Sequence, residues 1–271
     1  MHSWLDGQPA TAVNLQNRGL AYGDGLFETI AVRAGCPSLL DAHLARLASG
    51  CQRLLIPADL ALVRDEVVRY ARAVGDGVVK LILTRGDSAR GYAGAPAAAP
   101  RRLLQAGPLP QYPQAHAEAG VRLFACQTRL AEQPLLAGLK HLNRLEQVMA
   151  RAEWQDVEHA EGLVRDMQGR VVEGVYSNLF LVRDNQLITP DLSRCGVAGV
   201  MRAALLQQAG VLGIAIKVRD VSIEELQQAD EVFVCNSVYG IWPVRALGTL
   251  NWSPGPLTRK LQAVARTLLE T

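Results

Sequence analysis

Lysine is the scarce residue of this chain. Of 28 basic side chains only four are lysines, Lys80, Lys140, Lys217 and Lys260. Cysteine is sparse too: Cys36, Cys51, Cys126, Cys195 and Cys235 form an odd, widely spaced set with no CxxC pair. That excludes a disulfide scaffold and predicts buried free thiols in a reducing compartment. No apolar run approaches the ~20 residues of a membrane span. Met1 is not followed by a basic stretch leading into an apolar run, so no signal peptide is expected and the cytoplasm is the expected location. Charge is not concentrated either: 28 Lys plus Arg against 26 Asp plus Glu give a formal +2. Without a basic field, nucleic-acid binding is excluded, although a small anionic ligand needs only one well-placed Arg. Metal chemistry lacks its signature, because His2, His43, His116, His141 and His159 make no HExxH and adjoin no cysteine pair. There is no GxSxG, no GxGxxG after a strand and no GxxxxGK[ST], which removes the serine-hydrolase, dinucleotide and P-loop readings.

What is present is ordinary globular composition, 49% hydrophobic and 20% charged over 271 residues. That length suits one large α/β domain or two domains of roughly 100–150 residues. The N-terminal half opens with a hairpin-type turn at Asp6-Gly7 and a glycine-rich run, RGLAYGDGLFE, over 18–28. A strand follows at Thr29–Val32. Asp41 is expected to cap a helix whose apolar face is Leu44, Leu47, Ala48, Cys51 and Leu54. A second helix is expected from Asp59 to Val74, then an apolar strand over Val78–Thr84 and a basic loop, Arg85 to Gly94. Arg101 to Ala106 reads as one more strand. The Ala/Pro run at 95–100 and Pro108, Pro110 and Pro113 place the domain boundary here. The expected division is a small N-terminal α/β domain over 1–110, a linker over 111–118 and a larger α/β domain over 119–271 that carries Lys140. In the second domain strands are expected at Val121–Ala125, Glu161–Asp166, Val171–Glu173, Asn178–Val182 and Glu231–Cys235. Helices are expected at Leu142–Trp154, Val200–Gln208 with Gly210 as C-cap, and Leu257–Leu269, with a capping box at Ser222 and Glu225.

Three features carry possible chemistry. Lys140 ends the apolar run Leu135–Leu139 and precedes His141, Asn143 and Arg144. A lysine at such an edge loses hydration and becomes a nucleophile, or it snorkels at the surface; both readings are open from the residues alone. Glu173 closes the apolar strand RVVEG, either as a carboxylate paired with a protonated ring nitrogen or as an outward-facing residue of an alternating strand. Gly196 and Gly199 precede a helix start at Val200, where exposed N–H groups suit an anion.

Six segments in order give these features a common reading: RGLAYGDGLFET (18–29), HLARL (43–47), LKHLNRLEQVMAR (139–151), EGVYSNLF (173–180), GVAGVMR (196–202) and ADEVFVCNSVYGIWPV (229–244). Over essentially the whole chain the sequence resembles the fold-type IV pyridoxal-phosphate enzymes, a two-domain α/β (α+β) fold of the D-amino-acid-aminotransferase type. Within them it is most similar to the aminodeoxychorismate lyases, and KHLNRLEQ is the most specific segment. The resemblance implies pyridoxal 5'-phosphate as cofactor and Lys140 as the lysine that carries it. It implies Glu173 facing the pyridine nitrogen, and Arg46, the amides of Val200 and Met201 and the hydroxyl of Ser237 at the phosphate. Asn178 would shape the pocket or orient Glu173. It implies a dicarboxylate substrate, 4-amino-4-deoxychorismate, split into 4-aminobenzoate and pyruvate for folate synthesis. Aminodeoxychorismate synthase would act one step upstream. Arg85, Arg90 and Tyr92 would meet the two carboxylates, with Tyr22 on the opposite wall. A homodimer is implied as well. The rival reading is a fold-type IV aminotransferase for D-amino or branched-chain amino acids, using the same Lys140, Glu173 and Arg46.

Overall fold

The computed structural model describes residues 3–94 and 98–270, and part of the Ala/Pro run, 95–97, lies outside them. The chain divides into two compact units. One holds 1–110, 139–143 and 269–271, and the other 111–138 and 144–268.

The first unit is a six-stranded sheet in the order β2-β1-β6-β5-β3-β4 with two long helices. Its elements are β1 (Trp4–Leu5), β2 (Gln8–Pro9), α1 (Arg18–Tyr22), β3 (Gly25–Arg33), β4 (Cys36–Pro37), α2 (Leu40–Leu54), α3 (Leu60–Val74), β5 (Gly77–Thr84) and β6 (Arg101–Gly107). The Asp6-Gly7 turn closes the β1–β2 hairpin with both residues at positive φ, 51° and 77°, as a two-residue primed turn requires. Strand alternation sends Leu26, Ile30 and Val32 of β3 into a core with Leu44, Leu47 and Cys51 of α2 and Val63, Val67 and Tyr70 of α3. The expected apolar face of α2 is thus the face that packs. Asp59 caps α3 by accepting from the amides of Ala61 and Leu62. Asp41 does not cap α2: the cap is Leu39, at φ 55°, and Asp41 lies in the first turn, paired with Arg64.

The second unit is built on a mixed sheet in the order β12-β11-β10-β13-β14-β7-β8-β9, with β15 beside β14. The strands are β7 (Val121–Leu130), β8 (His159–Asp166), β9 (Val171–Gly174), β10 (Asn178–Arg183), β11 (Gln186–Pro190), β12 (Ile216–Arg219), β13 (Glu231–Asn236), β14 (Gly240–Leu247) and β15 (Leu250–Asn251). The helices are α4 (Gln114–Glu118), α5 (Leu145–Arg151), α6 (Val200–Val211), α7 (Ile223–Gln227) and α8 (Pro256–Glu270). Both sides of the central strands are covered, so β10 and β13 read as nearly unbroken apolar runs. The Ser222–Glu225 capping box is present. Gly210 does not end α6, which continues to Val211 with Leu212 as its cap. Residues 111–118 belong to the second unit and carry α4. Cys51, Cys126, Cys195 and Cys235 are buried free thiols, whereas Cys36 is exposed, contrary to expectation.

Candidate functional site

The candidate residues fall into two sets, one in each unit. Lys140, expected in the second domain, instead belongs to the first unit, in a segment that was expected to begin a helix at Leu142. The helix instead starts at Leu145, and 139–142 runs extended along β3. Phe27 donates its amide to the Lys140 carbonyl at 2.9 Å, and Leu142 donates to the Gly25 carbonyl at 3.0 Å. Leu26 and His141 face each other across this pairing. Alternation then assigns the neighbouring side chains: Leu139 enters the core, and Lys140 shares the face of Phe27. Its Nζ lies 4.4 Å from the Phe27 ring centroid, a cation–π distance.

Glu28, the next residue on β3, points to the opposite, core side and is buried. Arg46 Nε donates to Glu28 Oε1 at 2.8 Å, and its Nη2 pairs with Oε2, a two-pronged ion pair. His43 Nδ1 lies 2.6 Å from the same Oε2. Burial alone would raise the Glu28 carboxyl, but Arg46 and His43 overcome it and hold it down at about 2. Burial lowers the His43 pKa, against the pull of Glu28 and with the charges of Arg46 and Lys140. The ring is therefore neutral, and Glu28 with Arg46 makes one buried ion pair.

The basic loop 85–94 is more ordered than its composition suggests. Arg85 donates to Asp24 Oδ2 at 2.7 Å and to the carbonyls of Leu54 and Leu55 at the end of α2. Arg90 is exposed, and Tyr92 is 91% exposed. The Tyr22 hydroxyl accepts from the Gly91 amide at 3.0 Å, and the Tyr22 and Tyr92 rings lie 5.6 Å apart. The residue that organises this loop was not singled out from sequence. Arg18 is buried, donates to Asp24 Oδ2, and reaches Ser88 Oγ and the carbonyls of Gly91 and Tyr92 at 2.8–3.1 Å. Its one sequence cue was position, beside the glycine-rich run. Arg18→Gln should release the loop and speed trypsin cleavage after Arg90 several-fold. Cleavage at the wild-type rate would refute this stapling role.

In the second unit Glu173 lies in β9 beside its last residue, Gly174, and is buried. Glu173 Oε2 accepts from the Val197 amide at 2.9 Å and from Asn178 Nδ2 at 3.3 Å. The Asn178 amide also donates to the Val197 carbonyl at 2.8 Å, locking β10 to the approach to α6. Gly199 must be glycine, because a Cβ there would collide with Asn178 Oδ1. The α6 N-terminus that follows has no side-chain cap, and Val200 and Met201 at its start are buried. Amides without a side-chain cap at the positive end of a twelve-residue helix are of the kind that suits an anion. Ser237 lies in the turn after β13, where Asn236 Oδ1 accepts from the amides of Val238 and Tyr239. Arg144 sits in the field of Glu173, which opposes the lowering of its pKa by burial. Among the described residues no cluster of His, Cys, Asp and Glu could hold a metal ion.

Comparison with known proteins places these sets in a family. The family profile described as amino-transferase class IV matches residues 25–247. An aminodeoxychorismate lyase of Vibrio harveyi is 37% identical over 269 residues, which are 97% of this chain and 99% of that protein. A D-alanine aminotransferase of Bacillus licheniformis is 29% identical over 93% of this chain and 89% of its own length. Among solved structures, the 4-amino-4-deoxychorismate lyase of Pseudomonas aeruginosa superimposes with a TM-score of 0.97 at 62% identity, covering 99% of this chain and all of that one. The Escherichia coli branched-chain amino acid aminotransferase gives 0.84 at 23% identity over 99% of this chain and 94% of its own, a likeness of fold.

Proposed function

The chain belongs to the class IV amino-transferase family, and from that premise we propose that it is a pyridoxal-phosphate-dependent lyase converting 4-amino-4-deoxychorismate to 4-aminobenzoate and pyruvate. The observation that carries the lyase reading over transamination is whole-length likeness to two lyases at 37% and 62% identity, against 29% for the D-alanine enzyme.

The donor set fits the cofactor. It offers one primary amine held by backbone pairing, one buried carboxylate, an arginine and an uncapped helix start. Lys140 would hold the aldehyde carbon through Nζ. Glu173 would keep the pyridine nitrogen protonated. Arg46, the amides of Val200 and Met201 and the Ser237 hydroxyl would hold the phosphate. When bound, the cofactor supplies an electron sink for the charge left by a broken C–H bond. Once the substrate's C4 amine has replaced Nζ on the aldehyde carbon, the freed Lys140 amine would take the proton from substrate C4, the bond from C3 to the enolpyruvyl oxygen would break, and the ring would become aromatic. Lys140 Nζ then returns that proton to the departing enolate, which becomes pyruvate. Gain of aromaticity drives the elimination, so no keto acid is consumed. Arg90, Tyr92 and Tyr22 would meet the substrate carboxylates, with Arg85 setting the base of the loop rather than the contact.

The protein would act in the cytoplasm, in folate synthesis, directly after aminodeoxychorismate synthase. Among the described residues no helix is long and apolar enough to cross a membrane. A homodimer accounts for α5, whose Leu145, Val148 and Met149 are 71%, 59% and 56% exposed on a seven-residue helix. Val148→Glu should then convert a dimer to a monomer in sedimentation velocity; a wild-type monomer would remove the dimer from this reading.

The enzymatic reading is tested by an absorption scan over 300–500 nm and a 4-aminobenzoate fluorescence assay without added keto acid. A visible band bleached by borohydride, with product formed, is expected. A band without product, but with turnover of D- or branched-chain amino acids, would replace the lyase by an aminotransferase.

A further inference from the structure

Glu161 has no part in the chemistry above, yet both of its buried carboxylate oxygens are hydrogen-bonded. It lies on β8 with 0% exposure. Its Oε1 accepts from the amides of Gly162 at 2.8 Å and Val175 at 3.0 Å. Its Oε2 accepts from Ser177 Oγ at 2.7 Å and the Tyr176 amide at 3.4 Å. Three of these four donors belong to the turn 175–177, which joins β9, where Glu173 lies, to Asn178 at the start of β10. The turn is closed by Gly174 donating to the Ser177 carbonyl at 2.8 Å. Gly174 leaves room for the carboxylate, since a Cβ there would meet Glu161 Oε2 at 2.9 Å and the Ser177 hydroxyl closer still.

We propose that Glu161 is a positioning residue: by clamping the 175–177 turn it sets the Glu173–Asn178 pair, and through that pair the environment of the cofactor ring nitrogen. This rests on the reading of Glu173 as the ring-nitrogen partner. The geometry is specific to an acceptor with two oxygens. A glutamine would keep one oxygen for Gly162 and Val175 but turn an NH2 toward the Tyr176 N–H, donor against donor. Ser177 can rotate to accept, the Tyr176 amide cannot, and the turn must move. Movement of the turn displaces Asn178, which donates to both Glu173 and the Val197 carbonyl. The ionisable groups acting around Glu161 are Tyr112, Tyr176, Tyr239 and the Cys126 thiol, each raised by burial and uncharged at neutral pH. Burial outweighs the four donors and lifts the Glu161 carboxyl to about 7. The clamp therefore changes charge near neutral pH, which makes a pH profile the informative readout.

The test loads wild type, Glu161→Gln and Ser177→Ala with pyridoxal phosphate and titrates the visible band of each from pH 5.5 to 9. Cofactor dissociation constants and circular dichroism are measured in parallel. Glu161→Gln should weaken cofactor binding about tenfold, the equivalent of one unmatched buried donor. It should also move the band's pH midpoint by about one pH unit, since a displaced Glu173 stabilises the ring-nitrogen proton less. Ser177→Ala should shift both in the same direction by less, and it decides the matter if Glu161→Gln does not fold. A lower melting temperature with unchanged midpoint and affinity would reduce Glu161 to a fold residue and overturn the proposal. A wild type that takes up no cofactor would instead overturn the reading of Glu173 and this inference with it.

Discussion

Replacing Lys140 with alanine should abolish lyase turnover, by about a thousandfold or more, while leaving a folded protein. The size follows from the two duties proposed for one nitrogen, covalent anchorage of the cofactor and transfer of the C4 proton. The survival of the fold follows from the backbone. What ties this segment to β3 is the Lys140 carbonyl accepting from Phe27 and the Leu142 amide donating to Gly25, and neither involves the side chain. Leu139, which does enter the core, is untouched. The side chain's own contact, Nζ over the Phe27 ring, contributes about 0.5–1 kcal/mol at a half-exposed site. Lys140→Arg is the sharper companion. It keeps the charge and the ring contact but cannot form the covalent link, so it should fold like wild type and be equally inactive. Turnover in either variant above a few per cent of wild type, with the visible band intact, would remove Lys140 from the mechanism.

The placement of Lys140 also marks where sequence reading stops. Strands and helices whose signals are local were legible. Asp59 and the apolar spacing after it set α3, and alternation with turn residues marked β5, β9 and β10. Ser222 and Glu225 declared α7. Residues 142–144 were read as helix because the apolar and charged spacing of the following turns is helical. They stay outside the helix because the segment leading into them, 139–142, pairs with Leu26 and Gly25, more than a hundred positions earlier. Tertiary pairing overrode local pattern, and no window of neighbouring residues contains that information. The same holds for Arg18, whose loop acceptors lie some seventy residues away, and for Glu161, three of whose donors lie across a strand. Glu28 was missed for another reason. A lone carboxylate in a strand reads as outward-facing, and only α2, bringing His43 and Arg46 one turn apart, makes its burial possible. The candidate reactive groups, and Asn178 beside Glu173, came from the resemblance, whereas Arg18, Glu28 and Glu161 came only from the fold.

The Glu28–Arg46 pair gives the second large effect. Arg46→Met should destabilise the protein by about 3–5 kcal/mol at pH 8, the cost of leaving one partner of a buried ion pair uncompensated. Methionine fills the volume, so the loss is electrostatic rather than a cavity. The sign of its pH dependence is fixed by the Glu28 carboxyl, held at about 2 in the folded wild type against an ordinary 4.5. In the wild type that depressed value contributes stability fully present above pH 4.5 and lost as pH falls toward 2, about 3 kcal/mol in all. Without Arg46 the main cause of the depression is gone, and burial raises the Glu28 carboxyl instead. The variant then gains stability as pH falls and Glu28 takes a proton, or as His43 beside it does. The difference between wild type and Arg46→Met should therefore narrow steadily from pH 8 to pH 5, read from urea unfolding at each pH. Glu28→Gln separates the two duties proposed for Arg46. It leaves the guanidinium in place with a neutral partner, so the phosphate end should retain most of its affinity while stability drops. Arg46→Met should lose cofactor affinity as well, about tenfold or more for a charge-assisted phosphate contact. A stability difference that stays below about 1 kcal/mol and does not vary with pH would show that the pair carries no net energy. Unchanged cofactor affinity in Arg46→Met would assign the phosphate to the α6 amides and Ser237 alone.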